Sequence, residues 1–369
     1  MKNYSILFVV GVWGIGGVER VTAFLASAFL AKGWRVAIVA VRFDDRSLLD
    51  GLSADIEVCE LSERWFSREN CLHLNTLIKR RQVDFIINQW CLPYIVTNFL
   101  KRAIKGTSAK LIAVHHNEPD KNKRIIDARN VFSRFFWRFV TRLNLRLVYE
   151  FSDAYVVLSC SFIEVLKKLI CIGSRDKVVA ITNPLTLTVA QEKEKEDVIL
   201  YVGRLEESQK RITRVLEVWK QICNKLPNWR LEIVGDGPDR AEYEEMARDL
   251  PRIVFHGYQV PAEYYAKSKI LLMTSDFEGF PLVLIEAMAH GCASVVLNSY
   301  PSVKDISNGG MRLVSDPFNV RIFSEEVLAV ATDRKMWMEM SVMAKTITDQ
   351  FGVEAVVEQW KSLFGKLKV

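Results

Sequence analysis

The 369-residue sequence lacks the patterns that mark several common classes of protein. Its seven cysteines are an odd number at scattered positions without a C-x-x-C pair, which argues against a disulfide framework or a zinc site. Its five histidines form neither an H-E-x-x-H nor an H-x-H pair, so no metal site is expected. No apolar run approaches about 18 residues, so no membrane-spanning helix is expected. These absences favour a protein of the reducing cytoplasm.

Charge is unevenly distributed along the chain. Residues 1–185 contain 27 Lys and Arg against 17 Asp and Glu, a balance of +10, whereas residues 186–369 contain 23 against 27, a balance of −4. The first half is therefore expected to meet an anionic partner, such as a membrane surface or a phosphorylated lipid. No recognised nucleic-acid-binding module accompanies the charge, so nucleic acid is not predicted as a partner.

Short apolar runs alternate with helical patterns in both halves. The runs are rich in β-formers and bounded by polar turns, which is typical of buried parallel strands. They are SILFVV, RVAIVAV, DFIIN, KLIAV and AYVVL, followed by VILYVG, RLEIVG, IVFHG, KILLMTS and ASVVL. This alternation predicts an α/β fold with two Rossmann-like, doubly wound domains.

A charged connector without apolar residues, QEKEKED at 191–197, follows Asn183-Pro184 and marks the domain boundary. We expect a first domain over 1–185 and a second over 186–351. The last run, VEAVVEQWKSLFGKL, has helical spacing, and this helix, about 352–369, is a candidate to pack back on the first domain. Ligands of open α/β sheets bind at the carboxyl ends of the strands, so the residues after each strand deserve inspection.

The stretch GVWGIGGVER, residues 11–20, looks like a phosphate-binding loop but fits neither common motif. In a G-x-G-x-x-G register that starts at Gly14 the third glycine position is Glu19, and a P-loop would need G-K-[ST]. Gly16 and Gly17 still let backbone amides at a helix start approach an anion. Glu19 would repel phosphate, so it is expected to accept hydrogen bonds from a hydroxyl or a cation. The alternative is a tight strand–helix turn without a ligand.

Two stretches of the second half combine cations and glycines after predicted strands. VGRLEESQKR, 202–211, places Gly203 at a strand end, followed by Arg204 and Lys210. Two such cations can neutralise a diphosphate. In VGDGPDR, 234–240, the glycines suit a turn that needs positive φ or a close backbone approach.

A third stretch, SDFEGFPLVLIEAMAHG at 275–291, supplies two carboxylates. Glu278 lies in the loop after a predicted strand, and Pro281 suits the first turn of a helix. Amides of that turn can point at an anion or a sugar hydroxyl, and they belong to Gly279, Phe280 and Leu282. Glu286 lies about one turn further on, where a carboxylate can accept both hydroxyls of a ribose. The alternative is a solvated helix carboxylate.

These motifs resemble those of the retaining, nucleotide-sugar-dependent glycosyltransferase family 4, which has the GT-B fold. Glu278 and Glu286 are spaced as in the family's E-x7-E motif, and VGRL with a downstream lysine, GDGP and the N-terminal GGVE also match. The resemblance covers nearly the whole chain. It implies two Rossmann-like domains facing each other across a cleft, towards which Gly16 and Gly17 point. It also implies a UDP- or GDP-sugar donor, no metal and no cofactor.

The resemblance implies roles for individual residues of the second half. Arg204 and Lys210 would hold the donor diphosphate and stabilise it as it departs. Glu286 would bind the ribose, and Glu278 would contact the transferred sugar. Three residues would surround that sugar contact, namely Gly279, Phe280 and Pro281. The family often has Lys-Gly where this chain has Lys210-Arg211, so Arg211 either adds a phosphate contact or is merely exposed.

In the first half, VHHNEP at 114–119 resembles the family's strand-end His-Asn, whose histidine lies near the donor sugar. His116, next to Asn117, is the favoured candidate and His115 is the alternative. The catalytic residues of this hypothesis are Glu278, His116, Arg204 and Lys210. No general base is assigned, because in the family the departing phosphate can take the acceptor's proton.

The stretch RNVFSRFFWRFVTRLNLRLVY, 129–149, predicts a basic amphipathic helix. Arginines recur every four residues beside an apolar stripe. The arginines are Arg134, Arg138, Arg142 and Arg146, the stripe is Phe132, Phe136, Phe139, Leu143 and Leu147, and Lys121, Lys123 and Arg124 precede them. Such a helix fits an anionic membrane interface. The alternative is a core helix with solvated arginines.

Together these patterns predict a cytoplasmic retaining glycosyltransferase, peripheral at the inner face of the cell membrane, that extends a lipid-linked surface glycan. One alternative is a non-catalytic GT-B-like partner subunit. Another is an NAD-dependent oxidoreductase on paired Rossmann domains, against which the incomplete G-x-G-x-x-G argues. A GT-B-fold sugar-nucleotide epimerase is a more distant alternative.

Overall fold

The computed structural model describes residues 3–62, 64–120, 131–172, 177–187, 193–307 and 309–368. The chain divides into two compact units, Met1–Pro184 with Val353–Val369, and Leu185–Gly352. Each unit is built on one parallel β-sheet, so the predicted α/β class with two parallel-sheet domains is confirmed. The basic residues at 121–124, the first two residues of the predicted helix 129–149 and residues 191–192 of the connector lie outside the described residues.

The described residues form thirteen strands, seven in the first unit and six in the second. In the first unit they are β1 Ser5–Trp13, β2 Arg35–Phe43, β3 Glu57–Glu60, β4 Phe85–Asn88, β5 Lys110–His115, β6 Ala154–Val157 and β7 Val178–Ala180. In the second they are β8 Glu196–Val202, β9 Arg230–Val234, β10 Ile253–Gly257, β11 Ser268–Met273, β12 Ala293–Asn298 and β13 Met311–Ser315. The sheet orders are β3-β2-β1-β4-β5-β6-β7 and β10-β9-β8-β11-β12-β13.

Helices connect the strands in both units. Those before the second sheet are α1 Gly17–Ala31, α2 Arg68–Arg81, α3 Tyr94–Ala103, α4 Val131–Phe151 and α5 Cys160–Ile170. Those that follow are α6 Glu207–Lys210, α7 Ile212–Ile222, α8 Arg240–Met246, α9 Ala262–Lys267, α10 Leu282–Ala289, α11 Val303–Ile306, α12 Val320–Thr332, α13 Arg334–Lys345, α14 Ile347–Phe351 and α15 Val353–Leu367. No described helix is long and apolar enough to cross a membrane.

All ten runs predicted as strands are strands, and three further strands were not predicted. These are β3, β7 and β13, each of which lies at the edge of its sheet. Edge strands have one neighbour only, and each of these three contains at least two residues that are partly or fully exposed. Their apolar runs, in EVCE, VVA and MRLVS, are too short to mark a strand buried on both faces.

The C-terminal helix α15 packs on the first unit through one face. Its residue Phe364 is fully buried and stacks on Phe85 at a ring-centroid distance of 4.3 Å. Trp360 lies edge-on to Phe29 of α1 at 6.3 Å, and the amine of Lys368 pairs with Asp84 at 2.8 Å. The end of the chain thereby completes the core of the first unit.

Candidate active site

Two neighbouring strands of the second sheet bring opposite charges together. β8 and β11 are parallel neighbours, so the segments that follow them leave the sheet at the same edge. The first segment carries Lys210 at the end of α6, and the second carries Glu278. Lys210 Nζ lies 2.7 Å from Glu278 Oε1, and the side chains are only 18% and 9% exposed. The structure thus joins the predicted diphosphate cation and the predicted sugar-contacting carboxylate in one buried ion pair.

Gln209 ties the two segments together beside this pair. Its main-chain oxygen accepts a hydrogen bond from the amide of Asp276 at 2.9 Å. Its side-chain amide donates to the carbonyl of Phe277 at 3.0 Å and reaches Glu278 Oε2 at 3.4 Å. The sequence gives no signal for this role, because a glutamine in a loop fits no motif and its partners lie more than 60 residues away.

The GDGP turn supports the VGRL segment through close backbone contact. Gly235 has φ +139°, and a β-carbon on it would overlap the carbonyl oxygen of Gly203. A β-carbon on Gly237 would overlap the carbonyl of Leu205. The amides of Gly203 and Leu205 donate to Val234 and Asp236, each at 3.0 Å. Both glycines are therefore required for the approach of one backbone to the other, as the sequence predicted.

Arg204 lies outside the buried pair. Its side chain is 68% exposed, and its Nε lies 3.3 Å from Glu206 Oε2. Such an exposed ion pair contributes little stability and leaves the guanidinium able to reorient. The described contacts therefore join Lys210 to Glu278 but do not bring Arg204 into the same cluster.

The loop before α10 presents backbone donors beside Glu278. Within the described chain, the amides of Gly279, Phe280 and Leu282 have no hydrogen-bond acceptor, although all three residues are buried. Phe280 is held by an edge contact with Phe351, with ring centroids 5.3 Å apart. These amides lie at a helix N-terminus, where donors without a protein partner can stabilise an anion. The loop is therefore chemically suited to an anion or a sugar hydroxyl.

Glu286 is fully buried within α10, so the alternative of a solvated helix carboxylate is wrong. Its Oε1 accepts a hydrogen bond from Thr186 Oγ1 at 3.0 Å, and its Oε2 accepts one from the Tyr265 hydroxyl at 3.3 Å. A carboxylate has lone pairs for further donors. Because Glu286 has no exposed surface, a ribose would reach it only if groups around the carboxylate moved.

In the first unit, the glycine loop forms a compact strand–helix turn. β1 continues through Gly11 to Trp13, three residues beyond the predicted run, and α1 begins at Gly17. The carboxylate of Glu19 folds back over Gly16, where a β-carbon would overlap it. Burial raises the pKa of Glu19 above its usual value. Ligand binding by Gly16, Gly17 and Glu19 stays a prediction.

The two candidate histidines lie in different environments at the end of β5. His115 is buried, and its Nδ1 lies 2.7 Å from the hydroxyl of buried Tyr155. His116 is partly exposed together with Asn117, and its Nε2 lies 2.5 Å from Gln89 Oε1. Desolvation lowers the pKa of His116 to about 4, so its ring is neutral at pH 7. Gln89, which follows β4, is a polar neighbour that the sequence did not reveal.

Helix α4 projects its N-terminal half away from the core. Only Leu145, Val148 and Tyr149 of its described side chains are buried. Phe132, Phe136 and Phe139 are 89%, 60% and 64% exposed, so the core-helix alternative is wrong for this half. Arg146 does not belong to a solvated ridge, because it donates to the carbonyl of Ile170 at 2.9 Å and pairs with Glu150 at 2.6 Å.

Metal ligands are not clustered in the part of the chain that the structure describes. No group of three or more His, Cys, Asp or Glu side chains there is arranged to hold an ion.

Two family models match consecutive parts of the chain. "Glycosyltransferase Family 4" matches residues 15–188, and "Glycosyl transferases group 1" matches residues 187–346. The chain belongs to the GT4-type glycosyltransferases. Its enzyme class and the GT-B fold expected from the motifs are thereby confirmed.

Relatives of this glycosyltransferase include enzymes of bacterial glycan synthesis. An α-1,4-N-acetyl-D-galactosaminyltransferase of Campylobacter jejuni, named for a saccharide on PP-undecaprenol, is 24% identical over 99% of both chains. The lipopolysaccharide 1,6-galactosyltransferase of Salmonella typhimurium is 31% identical over 37% of this chain and 41% of its own. Anabaena HepE, solved in complex with UDP and glucose, has a TM-score of 0.76 at 15% identity, covering 99% of this chain and 100% of its own.

Proposed function

We propose that this glycosyltransferase moves a sugar from a UDP- or GDP-sugar to a lipid-linked glycan acceptor, with retention of anomeric configuration. The observation that carries the proposal is the buried Lys210–Glu278 pair beside three unpartnered amides. A cation, a carboxylate and backbone donors in one loop cluster match a diphosphate and a sugar. The UDP and glucose bound to HepE and the PP-undecaprenol in the name of the Campylobacter relative support the two substrate classes.

In this mechanism Lys210 changes partner when donor binds. The donor diphosphate attracts its ammonium group more strongly than a single carboxylate does, and exposed Arg204 adds a second cation. Glu278, released from Lys210, accepts hydrogen bonds from the transferred sugar. The amides of Gly279, Phe280 and Leu282, which have no acceptor in the described chain, supply further donors.

Bond exchange takes place at the anomeric carbon of the donor. Its bond to the diphosphate oxygen breaks while a bond to the acceptor oxygen forms on the same face. The leaving phosphate takes the acceptor's proton, so no basic side chain is needed. Lys210, Arg204 and the amides stabilise the charge that develops on the diphosphate, which is the task a divalent metal performs in other transferases. We therefore propose a reaction without metal or cofactor.

Glu286 completes the proposed donor site in the second unit. Glu286 accepts the ribose hydroxyls after displacement of Thr186, whose hydroxyl now occupies Oε1 at 3.0 Å. In the first unit, His116 is neutral at pH 7, and its contact with a donor sugar stays a prediction. Since an amide oxygen only accepts, the contact with Gln89 requires a proton on His116 Nε2 and leaves Nδ1 as an acceptor.

The reaction is tested with a panel of UDP- and GDP-sugars and an undecaprenyl-diphosphate-linked saccharide, with product configuration read from anomeric proton couplings. We expect an α-linked product from an α-linked donor. Lys210→Met and Glu278→Gln should each lower kcat by roughly 10²–10³-fold. Arg321→Met, which breaks an exposed ion pair with 84% and 59% exposed side chains, is the matched control and should leave kcat unchanged. Inverted product, or donor binding without turnover on any acceptor, contradicts the proposal.

We further propose that α4 places the protein on an anionic membrane from the cytoplasmic side. Its exposed phenylalanines can enter the interface, while exposed Arg138 and Arg142 attract acidic lipid headgroups. Vesicles of phosphatidylglycerol, but not of phosphatidylcholine, should carry the protein in a flotation assay, and high salt should weaken the effect.

Matched variants separate membrane insertion from general exposure of apolar groups. The triple variant Phe132→Ser, Phe136→Ser and Phe139→Ser should abolish flotation. The triple variant Leu72→Ser, Val260→Ser and Val342→Ser should leave it intact, because these apolar side chains are also well exposed, at 58%, 69% and 66%. Equal loss in both variants, or flotation of neither parent nor variant, contradicts this role of α4.

A further inference from the structure

Arg211 occupies a backbone conformation that favours glycine. Its φ and ψ are +54° and +52°, and it lies between the end of α6 and the start of α7. For a residue with a β-carbon this left-handed conformation costs free energy. It is also the position at which the resembling family often has glycine. An interaction of the arginine side chain must therefore offset the cost here.

That interaction is made with Asp276, a carboxylate that is 5% exposed. Asp276 Oδ2 accepts a hydrogen bond from Arg211 Nε at 2.7 Å, and Oδ1 accepts one from Arg214 Nη1 at 2.8 Å. Burial alone would raise the pKa of Asp276, but its bonds to the two arginines hold that pKa below its usual value. Both carboxylate oxygens thus engage cations that closely follow Lys210 on one segment of chain.

Hydrogen bonds to main-chain carbonyls join the same two segments around Asp276. The hydroxyl of Thr274 donates to the carbonyl of Arg211 at 3.0 Å, and Arg214 Nη1 donates to the carbonyl of Thr274 at 2.9 Å. The amide of Asp276 donates to the carbonyl of Gln209 at 2.9 Å. These bonds hold the segment that carries Lys210 against the segment that carries Asp276. Glu278 follows Asp276 by only two residues, so its position opposite Lys210 depends on the same bonds.

We propose that Asp276 is a positioning residue that, through Arg211 and Arg214, holds Lys210 opposite Glu278. This inference rests on the proposed function of Lys210 and Glu278 in donor binding. Arg211 neither binds the diphosphate nor is merely exposed. Its Nε faces Asp276 and its Nη1 lies 3.7 Å from Glu207, so carboxylates of the protein occupy its guanidinium.

The test compares Asp276→Asn with Glu232→Gln, a matched disruption in the same unit. Glu232 is also a buried carboxylate, and it pairs with Arg230 at 2.7 Å and Lys267 at 2.9 Å. Hydrogen–deuterium exchange is followed over 206–214 and 274–280, together with kcat and KM per mole of folded protein. Asp276→Asn should speed exchange in both segments and lower kcat/KM by about tenfold or more, mainly through kcat. Glu232→Gln should lower thermal stability by about as much as Asp276→Asn does. It should change neither the exchange in these two segments nor kcat/KM.

A double-mutant cycle shows whether Asp276 acts through Lys210. In a Lys210→Met background, Asp276→Asn should lower kcat/KM by less than about threefold, because the residue it positions is already gone. Full additivity of the two substitutions overturns the inference. Unchanged exchange over 206–214 in Asp276→Asn overturns it whatever reaction the enzyme performs, whereas a wild type without nucleotide-sugar turnover contradicts only the proposed function.

Arg211→Gly separates positioning from phosphate binding. Glycine accepts the left-handed backbone, and Arg214 still engages Asp276, so the affinity for UDP should stay within about threefold of the wild type. Arg211→Ala, which keeps the strained conformation without the ion pair, should impair kcat/KM more than Arg211→Gly does. A loss of UDP affinity of about tenfold or more in Arg211→Gly would assign the guanidinium to the diphosphate and overturn its proposed role.

Discussion

Replacing Lys210 by methionine removes the cation that Glu278 faces at 2.7 Å and leaves that carboxylate buried. Loss of one partner of a buried ion pair typically costs about 3–5 kcal/mol of unfolding free energy. Glu278 retains a long contact with Gln209 at 3.4 Å and some exposure, so we expect the lower end, about 3 kcal/mol. For a domain of this size that corresponds to a fall in Tm of roughly 6–12 °C.

Urea denaturation of the ligand-free protein measures this cost directly. The double variant Lys210→Met with Glu278→Gln should regain most of the unfolding free energy that Lys210→Met loses, since it no longer buries an unpaired charge. UDP at about a hundred times its Kd should stabilise the wild type by roughly 2.7 kcal/mol, and the same concentration should barely stabilise Lys210→Met. If Lys210→Met alone unfolds within about 0.5 kcal/mol of the wild type, the buried ion pair does not exist in solution, and this reasoning is refuted.

Three further predictions concern backbone, charge and donor binding. Gly235→Ala should lose about 2 kcal/mol or more in urea denaturation, because its φ is +139° and its β-carbon would overlap the Gly203 carbonyl; stability equal to the wild type would contradict that contact. The pKa of His116 is about 4 in the folded protein and near 6.5 in the unfolded chain, so the unfolded chain binds the proton more readily. The free energy of unfolding should therefore fall as pH drops from 6.5 to 4, by at most about 3 kcal/mol. His116→Gln should remove this part of the pH dependence, and an unchanged profile would argue against the desolvated ring. Glu286→Gln should weaken UDP binding about 10- to 150-fold by calorimetry, whereas unaltered affinity would disprove its contact with ribose.

The central strands could be predicted because each is a continuous apolar run. Runs such as KLIAV and ASVVL are covered on both faces, and β5 and β12 are buried over most of their length. β3, with the sequence EVCE, carries two carboxylates in four residues because its edge position tolerates them. Burial on both faces leaves a signal in composition, and at an edge that signal remains only where the strand itself is apolar, as in β10, IVFHG.

The candidate site could be predicted only as separate pieces. The sequence placed Lys210 and Glu278 after strands, but their 2.7 Å contact depends on β8 and β11 being neighbours. Strand order follows from packing of the whole sheet. The partner of Arg211 was missed for the same reason, since Asp276 is 65 residues away.

The sequence pattern around a residue also did not show whether an individual polar side chain is buried. Glu286 occupies an ordinary helical position, yet α10 is enclosed on all sides and leaves it without exposed surface. The aromatic stripe of α4 shows the converse. Its spacing suits a core helix, but the first half of the helix extends beyond the elements that cover its second half.

The central claim is that the Lys210–Glu278 cluster binds the diphosphate of a nucleotide sugar. Isothermal calorimetry with UDP, GDP and NAD tests it most directly, with Lys210→Met as the paired variant. The account predicts binding of UDP or GDP to the wild type, no binding of NAD, and loss of diphosphate binding in Lys210→Met. Binding of NAD alone, or diphosphate binding that survives Lys210→Met unchanged, would contradict it.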